Sequence, residues 1–163
     1  MIILLQLVIF CLLYIGMVKA AVRDSGRNCL YFYPKDYIEK AVELGIADKD
    51  ETTKKGKRFM IPFLLIMFAA LIVIISLWNR VTDFETAFLE SGLFLVVMNW
   101  FDGIVIDWFW VGHSKIWVIP EMKGYPFLRP FPEILKKRSI YTVMYLLLAL
   151  IPAGIIVLMP CIQ

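Results

Sequence analysis

Between Phe59 and Trp78 the chain passes through twenty residues without one charged side chain. That length matches the roughly 20 apolar residues a helix needs to cross a hydrocarbon core about 30 Å thick. Three further apolar runs, at about 1–22, 86–110 and 139–159, have similar character. A bilayer interior offers no partner for backbone amides, so such runs fold as helices that bond internally. The hydrophobic share is 61%, well above the roughly one half of an ordinary soluble domain. The expectation is an all-α integral membrane four-helix bundle, one membrane domain over 1–163, with polar segments at 23–58 and 111–138.

The first run competes with a signal peptide, because Ala20 and Ala21 are small residues of the cleavage type. Against cleavage, no basic residue precedes the apolar stretch, and Lys19, Arg23 and Arg27 all follow it. A retained first helix is therefore expected. Segregation of the bases then sets direction. Ten of the seventeen lysines and arginines lie between Lys19 and Arg58 and six between Lys115 and Arg138, leaving only Arg80 for the link between spans two and three. By the positive-inside rule the two basic segments are cytoplasmic and both termini face outward, in a cell membrane. Trp78 is expected at the outer boundary, and Trp108, Trp110 and Trp117 at the inner one, as interfacial aromatics.

Within the first polar segment, residues 34–45 read as a short cytoplasmic amphipathic helix, with Pro34 at its start and Gly45 at its exit. Its apolar side, Tyr37, Ile38, Ala41 and Val42, is expected to rest on the membrane surface or on the other loop. The following ADKDETTKKGKR is expected to be too polar to pack. The second segment is a loop broken by Pro120, Pro126, Pro130 and Pro132. In the last span Pro152-Ala-Gly154 predicts a kink.

The third span holds the chemistry, in NWFDGIVIDWFWVGH. At 100° per residue with Asn99 at zero, Ser91 falls at about 280°, Asp102 at 300°, Gly92 at 20°, Gly103 at 40° and Asp107 at 80°. These residues share an arc of about 160° directed at other protein segments, with Leu93, Phe94, Val97, Phe101, Ile104 and Val105 on the lipid side. Counted from Glu90, Asn99 lies about 14 Å deep, Asp102 about 18 Å and Asp107 about 26 Å. An aspartate at a helix centre costs about 2.5–3.5 kcal/mol to insert, which the apolar neighbours offset without explaining. Two explanations stand side by side. Asn99, Asp102 and Asp107 form a proton- or cation-binding site, or an acid accepts from Arg58, Arg138 or backbone and fixes helix assembly.

His113 is the single histidine and an interfacial partner for this site. A metal set of Asp102, Asp107, His113 and Glu121 matches no ligand spacing, so no metal is expected. No nucleophile with its base, phosphate-cradling loop or cofactor attachment point is evident, and no cofactor is expected. An enzyme acting on a lipid-soluble substrate at the inner leaflet, through Asp102, Asp107 and His113, is the alternative function. Cys11, Cys29 and Cys161 are too scattered for a disulfide framework. Lys54, Lys55, Lys57 and Arg58, with Lys136, Lys137 and Arg138, flank spans two and four, where each attracts anionic headgroups by about 1 kcal/mol. Nothing in this pattern points to nucleic acid.

YPKDYIEKAVELGI together with NWFDGIVIDW resembles a loosely defined family of small four-span prokaryotic membrane proteins of unassigned function. The resemblance covers Tyr33 to Pro120 and implies a cell-membrane location with Asn99, Asp102 and Asp107 as a shared signature. It implies no activity. The expected function is a transport-related or accessory membrane subunit, self-associating or docked on a larger membrane complex.

Overall fold

The computed structural model describes residues 2–159; Met1 and the last four residues, Cys161 among them, lie outside. It is all-helical, with no strand among the described residues. Four helices are long and apolar enough to cross a membrane: α1 (Ile2–Val22), α3 (Lys49–Trp78), α4 (Phe84–His113) and α5 (Phe131–Leu158). A short helix, α2 (Lys35–Glu43), lies between the first two. The four expected spans thus all form, and three of them extend beyond the expected bounds.

Each extension has a local cause. Helix α3 starts ten residues before Phe59 because Asp48 caps it, its Oδ1 accepting the Glu51 N–H at 2.7 Å. Glu51 then pairs with Lys55 at 2.8 Å, one turn on. Thr52 and Gly56 are buried, and a Cβ on Gly56 would stand 3.0 Å from that of Tyr31. The stretch read as too polar to pack therefore forms nearly three helical turns, docked through its small residues Thr52 and Gly56. Helix α5 starts at Phe131 because Pro132 occupies the first turn, where a missing N–H costs nothing. Helix α4 starts at Phe84 because Asp83 accepts from the Thr86 N–H at 2.8 Å.

Helix α4 is the central element, with 44% of its apolar stretch buried against 22–28% for the other three. It packs along the whole of α5 and against α1, where Phe10 meets Phe94 edge-on at 5.5 Å. Phe94 is fully buried, which corrects its assignment to the lipid side. The polar arc is too narrow to serve two neighbours, so α4 spends an apolar residue on α1. Leu93 and Ile104 do remain exposed. In α5 the α-helical pattern lapses at Ala149, where ψ opens to −20°, three residues before Pro152. A proline leaves the carbonyl four residues earlier without a donor, so the break falls at Leu148–Ala149 rather than at the proline.

The two polar segments fold onto one another across one end of the bundle. Tyr33 donates its hydroxyl to the Trp117 carbonyl at 2.6 Å, stacks on Tyr37 at 4.9 Å and meets Phe127 at 5.6 Å. Arg27 reaches Glu121 at 3.1 Å. Tyr37 of α2 therefore rests on the second loop, one of the two surfaces expected for it. Gly26 is a requirement of this contact: a Cβ there would fall 1.9 Å from the Tyr33 hydroxyl. Trp117 is 2% exposed and packs edge-on against Trp110 at 5.4 Å. It is the centre of the loop layer, not the interfacial aromatic expected from composition, because two loops of this length can bury a large ring between them. Trp78 and Trp108 are about half exposed.

Candidate functional site

Asp102 opens a stretch of π-helix, Asp102–Trp110, inside α4. In α geometry residues five apart are turned about 140° from each other, which is how the sequence separates Asp102 from Asp107. Bonding from i to i+5 widens the turn and brings the two toward one face instead. Both carboxylates consequently reach the same nitrogen: Arg138 Nη2 lies 2.6 Å from Asp102 Oδ2 and 2.5 Å from Asp107 Oδ2.

Arg138 is 4% exposed, on α5. The sequence offers it both as one of the headgroup-facing bases and, beside Arg58, as a partner for the acids; the structure removes it from the first set and places it against both carboxylates. In α5 it falls on the side that meets α4, one turn before Thr142, and two carboxylates stand opposite. Its entry depends on Gly103, where a Cβ would come 2.7 Å from Arg138 Cγ and 2.9 Å from Nε. Asn99, 1% exposed, closes the upper edge. Its Nδ2 donates to the Arg138 carbonyl at 2.9 Å and to Thr142 Oγ1 at 3.2 Å, while Arg138 Nη1 donates to Asn99 Oδ1 at 3.4 Å. Trp100 Nε1 also donates to Thr142 Oγ1, at 3.1 Å. Tyr14 of α1 lies beside Asp102, with Tyr145 of α5 nearby.

The structure therefore gathers Asn99, Asp102 and Asp107 as the sequence suggested, and joins them to Arg138. It leaves His113 out. That imidazole is exposed, with Nδ1 2.9 Å from the Phe109 carbonyl of its own helix. Lys54, Lys55, Lys57, Arg58 and Lys136 are exposed around the loop end, and Lys137 is half-buried with its ammonium 5.5 Å over the Tyr141 ring. Among the described residues no three His, Cys, Asp or Glu side chains converge as a metal site.

Asp102, Asp107 and Arg138 also line a cavity of about 540 Å³ between α1, α3, α4 and α5. Its deep end is apolar, with Met67, Phe68, Leu95 and Leu148. A second polar chain, which sequence reasoning missed, ties the opposite end of the bundle. Gln6 Nε2 donates to Asn79 Oδ1 at 2.6 Å, and Asn79 Nδ2 donates to Glu90 Oε2 at 2.7 Å. Gln6 is fully buried, and as the lone amide side chain among the first seventeen residues it is a signal legible in the sequence. Ser91, placed on the polar arc, is fully buried with no partner for its hydroxyl among the described residues.

Comparison with family models, with curated proteins and with solved structures finds no match to this chain.

Proposed function

We propose that this is a small multi-pass membrane protein, transport-related or an accessory subunit, whose working site is the clasp Asp102–Arg138–Asp107. The observation that carries the reading is the sharing of one guanidinium nitrogen by two carboxylates. One cation against two anions leaves one negative charge in excess, in a place where an uncompensated charge is costly. A proton or a small cation removes the excess. The clasp also bridges α4 and α5, so taking up and losing that charge alters the contact between helices. Proton or cation binding and helix fixation, the two explanations drawn from the sequence, become one device.

In this reading the basic loop layer faces the cytoplasm, both termini face outward in the cell membrane, and Lys54, Lys55, Lys57, Arg58 and Lys136 meet anionic headgroups. The polar and small-residue face of α4 is spent on α1 and α5, so self-association or docking on a larger complex uses the exposed apolar sides of α1 and α3. The membership implied by the two sequence motifs is part of the same proposal.

The test is infrared difference spectroscopy on the purified protein, titrated across neutral and acid pH, paired with dye-reported proton flux in proteoliposomes. A protonated-carboxyl band that titrates in the natural protein and is lost in Asp102→Asn or Asp107→Asn supports the clasp. Absence of any such band, with flux unchanged by both substitutions, overturns it.

A further inference from the structure

The cavity that opens on the clasp is zoned along its length. At the loop end its lining includes Lys35, Arg129 and Lys137. The first two are exposed and the third half-buried, which places them at the mouth, and none has a carboxylate within salt-bridge distance among the described residues. The middle zone is the belt of Asp102, Tyr14 and Tyr145 beside Arg138. The deep zone, Met67, Phe68, Leu95 and Leu148, contains no polar side chain.

The acids of the lining are the two already held by Arg138, so the mouth carries three unmatched positive charges. Groups of several cations suit a phosphate, whose three acceptor oxygens take charge-assisted bonds from more than one donor. A carboxylate accepts hydrogen bonds and cannot give them, so the middle zone favours a ligand that brings a hydroxyl. The deep zone favours hydrocarbon. The volume of about 540 Å³ lies in the range of small-molecule sites. Access is lateral: α3 packs against α5 mainly over its Leu150–Leu158 end, while Met60 and Leu64 of α3 and Tyr141 of α5 line the same cavity where the helices separate.

We infer that the cavity binds a phosphate-headed, single-chain amphiphile with a hydroxyl-bearing linker, phosphate at Lys35, Arg129 and Lys137, hydroxyl at Asp102 and chain toward Leu95. The inference rests on the reading of the clasp as a working site and names the class of ligand that the site serves.

The test uses the full-length protein in detergent and three probes sharing one oleoyl chain: lysophosphatidic acid, lysophosphatidylcholine and free oleate. Binding is followed by native mass spectrometry and tryptophan quenching. Lysophosphatidic acid is expected to bind saturably and at least about tenfold more tightly than the other two, through its extra charge-assisted bonds. The triple variant Lys35→Gln, Arg129→Gln, Lys137→Gln alters two exposed positions and one half-buried one and is expected to erase the preference. Leu64→Trp, at a position 47% exposed, is expected to block binding of all three probes. Equal affinity for the three probes, a preference that survives the triple variant, or no saturable binding overturns the inference. Binding without a titrating carboxyl band overturns the clasp alone, and a titrating band without binding overturns the ligand assignment alone.

Discussion

Gly103 and Arg138 occupy one space: the position a Cβ would take on Gly103 is 2.7 Å from Arg138 Cγ. The glycine is what lets a long cationic side chain lie flat against α4 and reach both acids. Gly103→Ala is accordingly expected to displace Arg138 and to destabilise by about 1–3 kcal/mol, the usual cost of an overpacked contact. Thermal unfolding in detergent, followed by a thiol-reactive dye, reads this directly. Cys29 is a suitable reporter, because it is buried and burial pushes its thiol up to about 12, leaving it inert until the fold opens.

Removing the cation is expected to be more severe than removing everything charged. Arg138→Gln leaves Asp102 and Asp107 facing each other unpaired, a change of about 3–5 kcal/mol when one member of a buried ion pair is lost. The triple variant Asp102→Asn, Asp107→Asn, Arg138→Gln is expected to recover most of that loss, since no uncompensated charge remains. Strong non-additivity in the same unfolding assay is the expected signature. Simple addition of the three single effects would show that the residues act independently.

At the loop layer, Tyr33→Phe deletes the donor to the Trp117 carbonyl and leaves a buried acceptor unsatisfied. The expected loss is about 1–3 kcal/mol. Gly26→Ala is expected to cost at least as much, because its methyl would occupy the place of the Tyr33 hydroxyl. Limited proteolysis between residues 114 and 130 should accelerate in both variants while the four long helices stay protected.

Asp83 gives a pH dependence with a defined sign. The carboxylate accepts from the Thr86 N–H, and that bond holds it below the usual carboxylate range. A group whose folded value is depressed stabilises fully above its unfolded value and loses that contribution as pH falls through the folded one. Protection of the Thr86 amide from hydrogen exchange is therefore expected to be flat near neutrality and to fade in acid. Asp83→Asn keeps a capping oxygen without the titration, so the cap should persist and the pH dependence vanish.

The long uncharged runs and the pairing of Asp83 with Thr86 are visible to local rules, and so are the four helices. That Asn99, Asp102 and Asp107 belong together follows from the same rules, since polar residues inside apolar runs seek one another. Arg138 has two readings in the sequence, as a partner for the acids and as part of the headgroup-facing set, and its neighbours keep the choice open. In the run Lys136-Lys137-Arg138 all three look alike, and only the partner helix decides which one is buried. Trp117 was misjudged for the same reason, as burial between two loops leaves no periodic trace. The packed start of α3 was obscured because Thr52 and Gly56 pack through small size rather than hydrophobicity. The π stretch had no marker either, because the five-residue spacing of Asp102 and Asp107 reads as two different faces under α periodicity.

That widened turn has a consequence for how α4 can change. A π segment holds one residue more than the α-helix it replaces needs, so deleting a residue between Gly103 and Ile106 lets the chain relax into ordinary α winding. After such a deletion the two aspartates stand four apart, about 40° from each other in α winding, so both still face Arg138 and the residues beyond keep their side of the helix. Asp102, Gly103 and Asp107 are held to their identities by Arg138, whereas the stretch between the two acids tolerates the loss of a residue and keeps them on one face.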